Sequence, residues 1–144
     1  MKNNKHNTPV ISDPSQICSA LVGLKDINIL YYSRSGPIAQ IAIEQVITDV
    51  SCKNCGSKAE IKDRDWVSYV DLPFGATPTR LLWYKHRIKC RNNECTTKSF
   101  TLGDHRIAAT GCRLTTRAAK WATAQVGMGR TVSELPRNSG VIGK

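Results

Sequence analysis

The alternation of apolar and polar residues predicts strands along the middle of the chain. Short runs rich in β-branched and aromatic residues are separated by Gly, Pro, Asn and Asp, the residues that favour turns. The first two runs are joined around Gly36 and Pro37 and are typical of a β-hairpin. The strand-like runs are 27–33, 38–50, 59–62, 66–72, 77–89 and 98–101.

Helical patterns flank these strands. Asp13 and Pro14 can cap and open a short helix that ends at Gly23. After the strands, Thr115 or Thr116 can cap a helix that ends near residue 126. We therefore expect an α+β fold: a small antiparallel β sheet with a preceding helix and β-hairpin, followed by a short helical segment.

The last helical pattern is interrupted. Thr131 to Glu134 forms a capping box, and a second helix after a Gly-containing turn is the opening of a helix-turn-helix. Pro136 then removes a backbone donor near the fifth helical position, so we expect an incomplete helix-turn-helix. The predicted organisation is a disordered tail at 1–12, a helix, hairpin and sheet domain at 13–104, and a helical segment at 105–144.

Two cysteine pairs predict a metal site. Cys52 and Cys55 are separated by two residues, and Cys90 and Cys95 by four. Pairs with this spacing on tight turns can direct four thiolates at one tetrahedral Zn²⁺ ion, and Gly56 supplies a permissive backbone next to the first pair. We therefore expect a zinc ribbon whose metal is structural. Disulfides or unrelated buried thiols are the alternative.

The other two cysteines of the chain and one histidine are less favoured as ligands of this site. Cys18 and Cys112 have no close partner and are interpreted as core residues. His86 precedes Cys90 by four residues and is a spare ligand only if the thiolates leave a position open. A packed histidine, or one that supports a ligand, is the expected alternative.

The charge distribution indicates a nucleic-acid partner. Lys and Arg number 21 against 11 Asp and Glu, and the net charge of +10 arises entirely from residue 51 onward. No apolar run approaches the roughly 18 residues of a membrane span, and the polar start does not resemble a signal peptide. We expect a cytoplasmic protein without a membrane partner. A reducing compartment also favours metal over disulfides for the paired cysteines.

Basic residues recur at every second position near the second cysteine pair. Alternation places Trp83 and the basic residues on one face of strand 77–89, and Leu82, Tyr84, His86, Ile88 and Cys90 on the other. Basic side chains at this spacing can follow a phosphate backbone, although lysines also protect an edge strand from pairing. The helix adds a basic face, which is equally typical of a solvated surface. The candidate DNA-binding residues are Arg80, Lys85, Arg87, Lys89, Arg91, Arg113, Arg117 and Lys120.

The order of these motifs resembles a known family. Cys52-Lys-Asn-Cys55-Gly56-Ser57, Asp71-Leu-Pro-Phe-Gly75, the run Arg91-Asn-Asn-Glu-Cys95 and Phe100-Thr101 are similar to the N-terminal part of insertion-sequence transposases of the ISL-three family. The resemblance implies that the four paired cysteines hold zinc. It also implies that a helix-turn-helix begins at about residue 131 and that duplex DNA, at insertion-sequence ends, is the partner.

The family's catalytic domain is not expected in this chain. Strand transfer in such transposases requires a triad of carboxylates that holds two metal ions, and the acidic residues here are few and scattered. The resemblance therefore implies a truncated, non-catalytic transposase relative that binds DNA in the cytoplasm or nucleoid. The alternative is a module that associates with a full-length transposase or another protein through residues such as Trp83 and Tyr84.

Overall fold

A computed structural model describes residues 13, 16, 19 and 22–129 of the chain. Its strands form one five-stranded sheet, and one long helix follows them. The elements are β1 Ile27–Ser35, β2 Ile38–Gln45, β3 Ala59–Phe74, β4 Thr77–Cys90, β5 Ser99–Thr101 and α1 Thr116–Gly127.

The sheet is mixed rather than purely antiparallel. β1 and β2 form the predicted hairpin, which turns at Gly36 with φ +57°. The strand order is β1-β2-β4-β3, and β5 pairs with the second half of β4. β2 and β4 run parallel. After β2 the chain crosses to the far edge of the sheet and forms β3, and β4 then returns antiparallel to β3, in the position between β3 and β2. The expectation of an all-antiparallel sheet is corrected at this one pair.

β3 is a single strand of 16 residues instead of the two predicted at 59–62 and 66–72. The charged segment Asp63-Arg64-Asp65 lies between the two predicted runs and continues the strand. It pairs with Arg87, His86 and Lys85 of β4, so opposite charges face each other at two of the three positions. Such cross-strand pairs stabilise a sheet, and they keep this segment extended.

The hydrophobic core covers one face of the sheet. Trp83, Ile41 and Ile43 are at most 1% exposed. Ile107 and Ala108, from the turns that precede α1, close this layer together with Val22. The opposite face is open to solvent around Tyr31 and Trp66 but is covered toward the end of β4, where His86 and Ile88 are buried.

A buried carboxylate fastens α1 to the sheet. Asp71 of β3 has no exposed surface. Thr115 Oγ1 donates to Asp71 Oδ1 at 2.7 Å and accepts from Ala118 N at 3.3 Å, which makes it the predicted helix cap. The Arg117 guanidinium also donates to both Asp71 oxygens, with Nε at 2.8 Å from Oδ1. The start of α1 is thus held by side chains as well as by packing.

The remaining helical predictions are only partly accessible. Gln16, Ser19 and Val22 are helical, but the intervening residues of the predicted first helix lie outside the described part of the chain. The capping box at 131–134 and Pro136 also lie outside it, so the helix-turn-helix stays a prediction. Neither of the helical segments seen within residues 13–129 is long and apolar enough to cross a membrane.

Candidate metal centre and basic surface

The first cysteine pair lies on a tight turn between β2 and β3. A bridge between Ser51 and Lys58 closes the base of the turn, and Cys52 N donates to Ser57 O at 2.8 Å. Gly56 N donates back to Cys52 O at 2.9 Å, and Gly56 has φ +73°. This left-handed conformation is strained for other residues, which confirms the role expected for Gly56.

The second pair is delivered by the end of β4. Cys90 is its last residue, and Cys90 N donates to Lys98 O at 3.1 Å. The chain then turns, with Cys95 N donating to Asn92 O at 3.1 Å. Asn92 N also points at Cys90 Sγ, 3.4 Å away. These bonds fold residues 90–98 into a loop that brings Cys95 back beside Cys90.

The four thiols of the two pairs meet at one point. Cys52 Sγ lies 3.9 Å from Cys95 Sγ, and Cys55 Sγ lies 3.6 Å from Cys90 Sγ. All four sulfur atoms lie within 4.8 Å of one another. Tetrahedral Zn²⁺ with Zn–S distances of about 2.3 Å requires sulfur atoms about 3.8 Å apart, so the cluster fits zinc. The disulfide alternative fails, because a disulfide needs a separation of about 2.05 Å and these thiols are free.

Backbone and hydroxyl hydrogen-bond donors stabilise the thiolate form of two of the cysteines, which is the form that binds a metal cation. Hydrogen bonds from the hydroxyl and amide of Ser57 lower the pKa of Cys55 to about 6. The amides of Cys55 and Asn54 lower the pKa of Cys52 in the same way. Burial instead raises the pKa of Cys90 to about 12, so without metal this thiol keeps its proton. Zinc binding releases that proton, and the metal therefore couples to both pH and folding.

Zinc in this cluster is structural. Four protein thiolates complete a tetrahedral shell and leave no position for water or substrate. Cys52, Cys90 and Cys95 are buried, and Phe100 packs against them. Lys53 lies over the Phe100 ring at 5.0 Å, and Asn54 Nδ2 donates toward Cys95 Sγ at 3.5 Å. The metal and this small apolar cluster replace a hydrophobic core at this end of the sheet.

The other candidate ligands lie away from the thiols. His86 is 4% exposed and its Nε2 lies 2.9 Å from Glu44 Oε1, so it is a packed histidine and not a ligand of the cluster. Cys112 is half-buried and lines an open groove against α1. Cys18 lies outside the described part of the chain.

Residues 49–95 match the family described as the zinc finger of transposase IS204/IS1001/IS1096/IS1165. The matched segment contains all four cysteines of the cluster, so this part of the chain is similar to the zinc ribbon of these transposases. A zinc ribbon of this type is not the catalytic module of a transposase. No curated protein and no solved structure matches the chain.

The structure places an acidic row beside the predicted basic row of β4. We define the basic row as Lys85, Arg87, Lys89 and Arg91, and the acidic row as Glu60, Asp63 and Asp65 of β3. The opposed pairs are Lys85 with Asp65, Arg87 with Asp63, and Lys89 with Glu60. Arg91 also binds Glu60, with Nη2 2.7 Å from Oε2, and Glu60 has a lowered pKa for that reason. Each of Lys85, Arg87 and Lys89 thus has a carboxylate as its register neighbour, but only Arg91 of the basic row forms an ion pair within the described residues.

The eight candidate DNA-binding residues fall into two groups. Three are engaged within the protein: Arg117 with Asp71, Arg91 with Glu60, and Lys85 with the Trp83 ring at 4.4 Å. The five that are exposed and form no ion pair within residues 22–129 are Arg80, Arg87, Lys89, Arg113 and Lys120. The predicted surface is thus divided, and only its exposed half is available to a phosphate.

Trp83 was expected on the solvent side of β4 and is instead in the core. It is 1% exposed and packs with Tyr69, with ring centroids 6.1 Å apart. Thr79, Leu81 and Trp83 are buried on one face of β4, and His86, Ile88 and Cys90 on the other. Each half of the strand is covered on a different side, by the main core and by the zinc cluster. Simple alternation along one strand cannot reveal this change.

Proposed function

We propose that this chain is a zinc-stabilised DNA-binding module of the kind found in the N-terminal region of transposases. The match of residues 49–95 to a transposase zinc finger carries this proposal. The net charge of +10 supports it, because a strongly basic domain attracts the phosphate backbone of duplex DNA. DNA at insertion-sequence ends is the proposed target, and the cytoplasm with its nucleoid is the proposed location.

The exposed basic residues are the proposed phosphate contacts. Arg80 has Gln40 and Val70 as its register neighbours, so no acidic side chain lies directly beside it in the sheet. Val70 is bridged on its other side to Leu114, so Leu114 shares the face of Arg80, and the preceding Arg113 is exposed on the other side of this sheet edge. Arg87 and Lys89 lie on the opposite face of β4 from Arg80 and form a second exposed basic group, nearer the zinc cluster. Phosphate contacts of this kind supply affinity and little sequence specificity.

Fluorescence anisotropy with a labelled duplex of about 20 base pairs tests the proposal. The slope of log affinity against log salt reports the number of phosphates neutralised, at about 0.9 per contact. We expect Arg87→Gln with Lys89→Gln to reduce this slope by about 1 to 2. The matched control, Lys25→Gln with Arg34→Gln, removes the same charge from exposed residues before the zinc ribbon and should change the slope much less.

Two results would contradict the proposal. Salt-independent binding, or no binding of duplex DNA by zinc-loaded protein, would exclude phosphate contact as the basis of function. An equal fall in slope for both double variants would show that only net charge matters and that the exposed residues of β4 form no particular surface.

A further inference from the structure

Three aromatic rings form a cluster on the solvent-facing side of the sheet. Trp66 of β3 stacks on Tyr84 of β4, with centroids 4.4 Å apart and ring planes 22° apart. Tyr31 of β1 approaches Trp66 at 6.0 Å with a tilt of 57°. Tyr31 and Trp66 are each 45% exposed. Large aromatic surface is therefore open to solvent at the centre of this face.

The sheet register explains how rings from three strands meet. Trp66 and Tyr84 are directly opposed, so they share a face. Tyr31 is opposed by Ala42 of β2, and Ala42 in turn lies beside Leu82 of β4. The small side chain of Ala42 leaves the Tyr31 ring room to lean across β2 toward Trp66. The cluster is thus built by the fold and held by three strands.

On the face of the sheet that carries the rings, the charges are positive or neutralised. Arg80 is exposed and lies four residues before Tyr84 on the same strand face, about 13 Å along the strand. Arg64, two residues before Trp66, is 40% exposed. Glu44, the acidic group on this face, is bound by Arg64 at 2.9 Å and by His86 at 2.9 Å. The Asp65 carboxylate accepts from Trp66 N at 2.9 Å, but it belongs to a residue that alternation places on the other face of β3. A ligand on this face meets apolar rings flanked by arginines, and this combination complements an aromatic anion.

We infer that the cluster of Tyr31, Trp66 and Tyr84 is a stacking site for the unpaired bases of single-stranded DNA. The inference deepens the proposed DNA-binding function and rests on it. Base stacking on exposed aromatic side chains, combined with cationic groups for the backbone, is how proteins bind single strands without reading sequence. Bases inside a duplex are already stacked on one another, so they do not use the rings. The cluster therefore distinguishes melted DNA from duplex DNA.

A double substitution by leucine tests whether single-strand binding requires aromatic stacking or only an apolar surface. Tyr31→Leu with Trp66→Leu keeps the surface apolar but removes two stacking faces. The probes are an end-labelled single strand of twelve thymidines and a mixed-sequence duplex of the same length. We expect the double Leu variant to bind the single strand at least about tenfold more weakly, while duplex affinity changes less than about twofold.

Two controls sharpen the comparison. Tyr31→Phe with Trp66→Phe retains the rings and should bind the single strand nearly as the natural chain does. Tyr32→Leu removes the adjacent tyrosine, which is 51% exposed but is opposed by Ile41 of the core face, and should leave both affinities unchanged. Single-strand binding should also quench Trp66 fluorescence in the natural chain. This quenching should disappear in the Trp66→Phe variant although binding persists.

The outcomes distinguish the two proposals, provided that each variant keeps its zinc and its circular dichroism spectrum. Unchanged single-strand affinity in the double Leu variant overturns the stacking site, and salt-dependent duplex binding would still support the proposed function. Loss of both affinities to the same extent also overturns the stacking site. Light scattering could instead show that the natural chain is a dimer and the double Leu variant a monomer. In that case the rings bind a second copy of the chain and the inference is wrong. Failure of the natural chain to bind either DNA overturns both proposals.

Discussion

Removal of the acidic row should strengthen DNA binding. Glu60→Gln, Asp63→Asn and Asp65→Asn together leave the shape of β3 nearly unchanged and free the basic row from its opposed carboxylates. The basic row then has four positive charges with no acidic partner across the strand pair. Arg87 and Lys89, which are already exposed, should gain the most as phosphate contacts.

The size of the gain follows from the spacing of the strands. A carboxylate one strand away lies about 7 Å from a phosphate bound by its neighbour, where the repulsion in water is about 0.6 kcal/mol. Screening at 0.1 M salt, with a Debye length of about 10 Å, halves this to about 0.3 kcal/mol. Three carboxylates then contribute about 0.9 kcal/mol, which corresponds to about a fivefold gain in affinity.

The assay is duplex binding by anisotropy at 0.1 M salt, repeated over a salt series. The control variant, Asp26→Asn with Asp49→Asn and Glu94→Gln, raises the net charge by the same three units away from the strand pair. We expect less than half the free-energy gain in this control. Unchanged affinity in the acidic-row variant, or an equal gain in the control, would refute the idea that these carboxylates limit access to the basic row.

Three further predictions concern stability. Asp71→Ala should lower the free energy of unfolding by about 3 kcal/mol in urea denaturation, because it leaves Arg117 without its buried partner, and a loss under 1 kcal/mol would argue against this anchor. Asp104 has a pKa lowered by Arg106, so its contribution is present above the unfolded pKa near 4 and is lost as the pH falls through the folded value. Asp104→Asn should cost about 1 kcal/mol at pH 7 and progressively less as the pH is lowered within the range where the natural chain keeps its zinc, and a cost that does not change with pH would contradict the assignment. Gly56→Ala should cost about 1 kcal/mol or more through its left-handed conformation, whereas Gly103→Ala, at a position without positive φ, is the control.

Features set by neighbouring residues could be predicted from the sequence. The spacing within each cysteine pair and the glycine after Cys55 define a thiolate turn, and the structure confirms both turns. Thr115 caps α1 as expected, because the cap requires only residues of the first helical turn. The hairpin at Gly36 is confirmed for the same reason. Each of these features depends on a short stretch of chain.

Features that depend on residues far apart in the sequence could not be predicted from it. The basic row of β4 was visible in the sequence, but its acidic partners lie about twenty to thirty residues earlier and become its neighbours only through the strand register. From the sequence alone, Arg117 is equally consistent with a solvent-exposed helix face. Its ion pair with Asp71, which is buried on β3, is visible only in the structure. Trp83 is buried because the core covers one half of β4 and the zinc cluster the other. The pairing of strands decides each of these outcomes.

The zinc content of the purified chain tests the central claim most directly. Plasma mass spectrometry should find one zinc per chain in the natural protein and in Cys112→Ser, whose thiol lies outside the cluster. Cys90→Ser should bind much less than one zinc and lose the cooperative unfolding of the sheet. A chain that retains native circular dichroism and thermal stability without metal, or that binds zinc equally well after Cys90→Ser, would contradict the account.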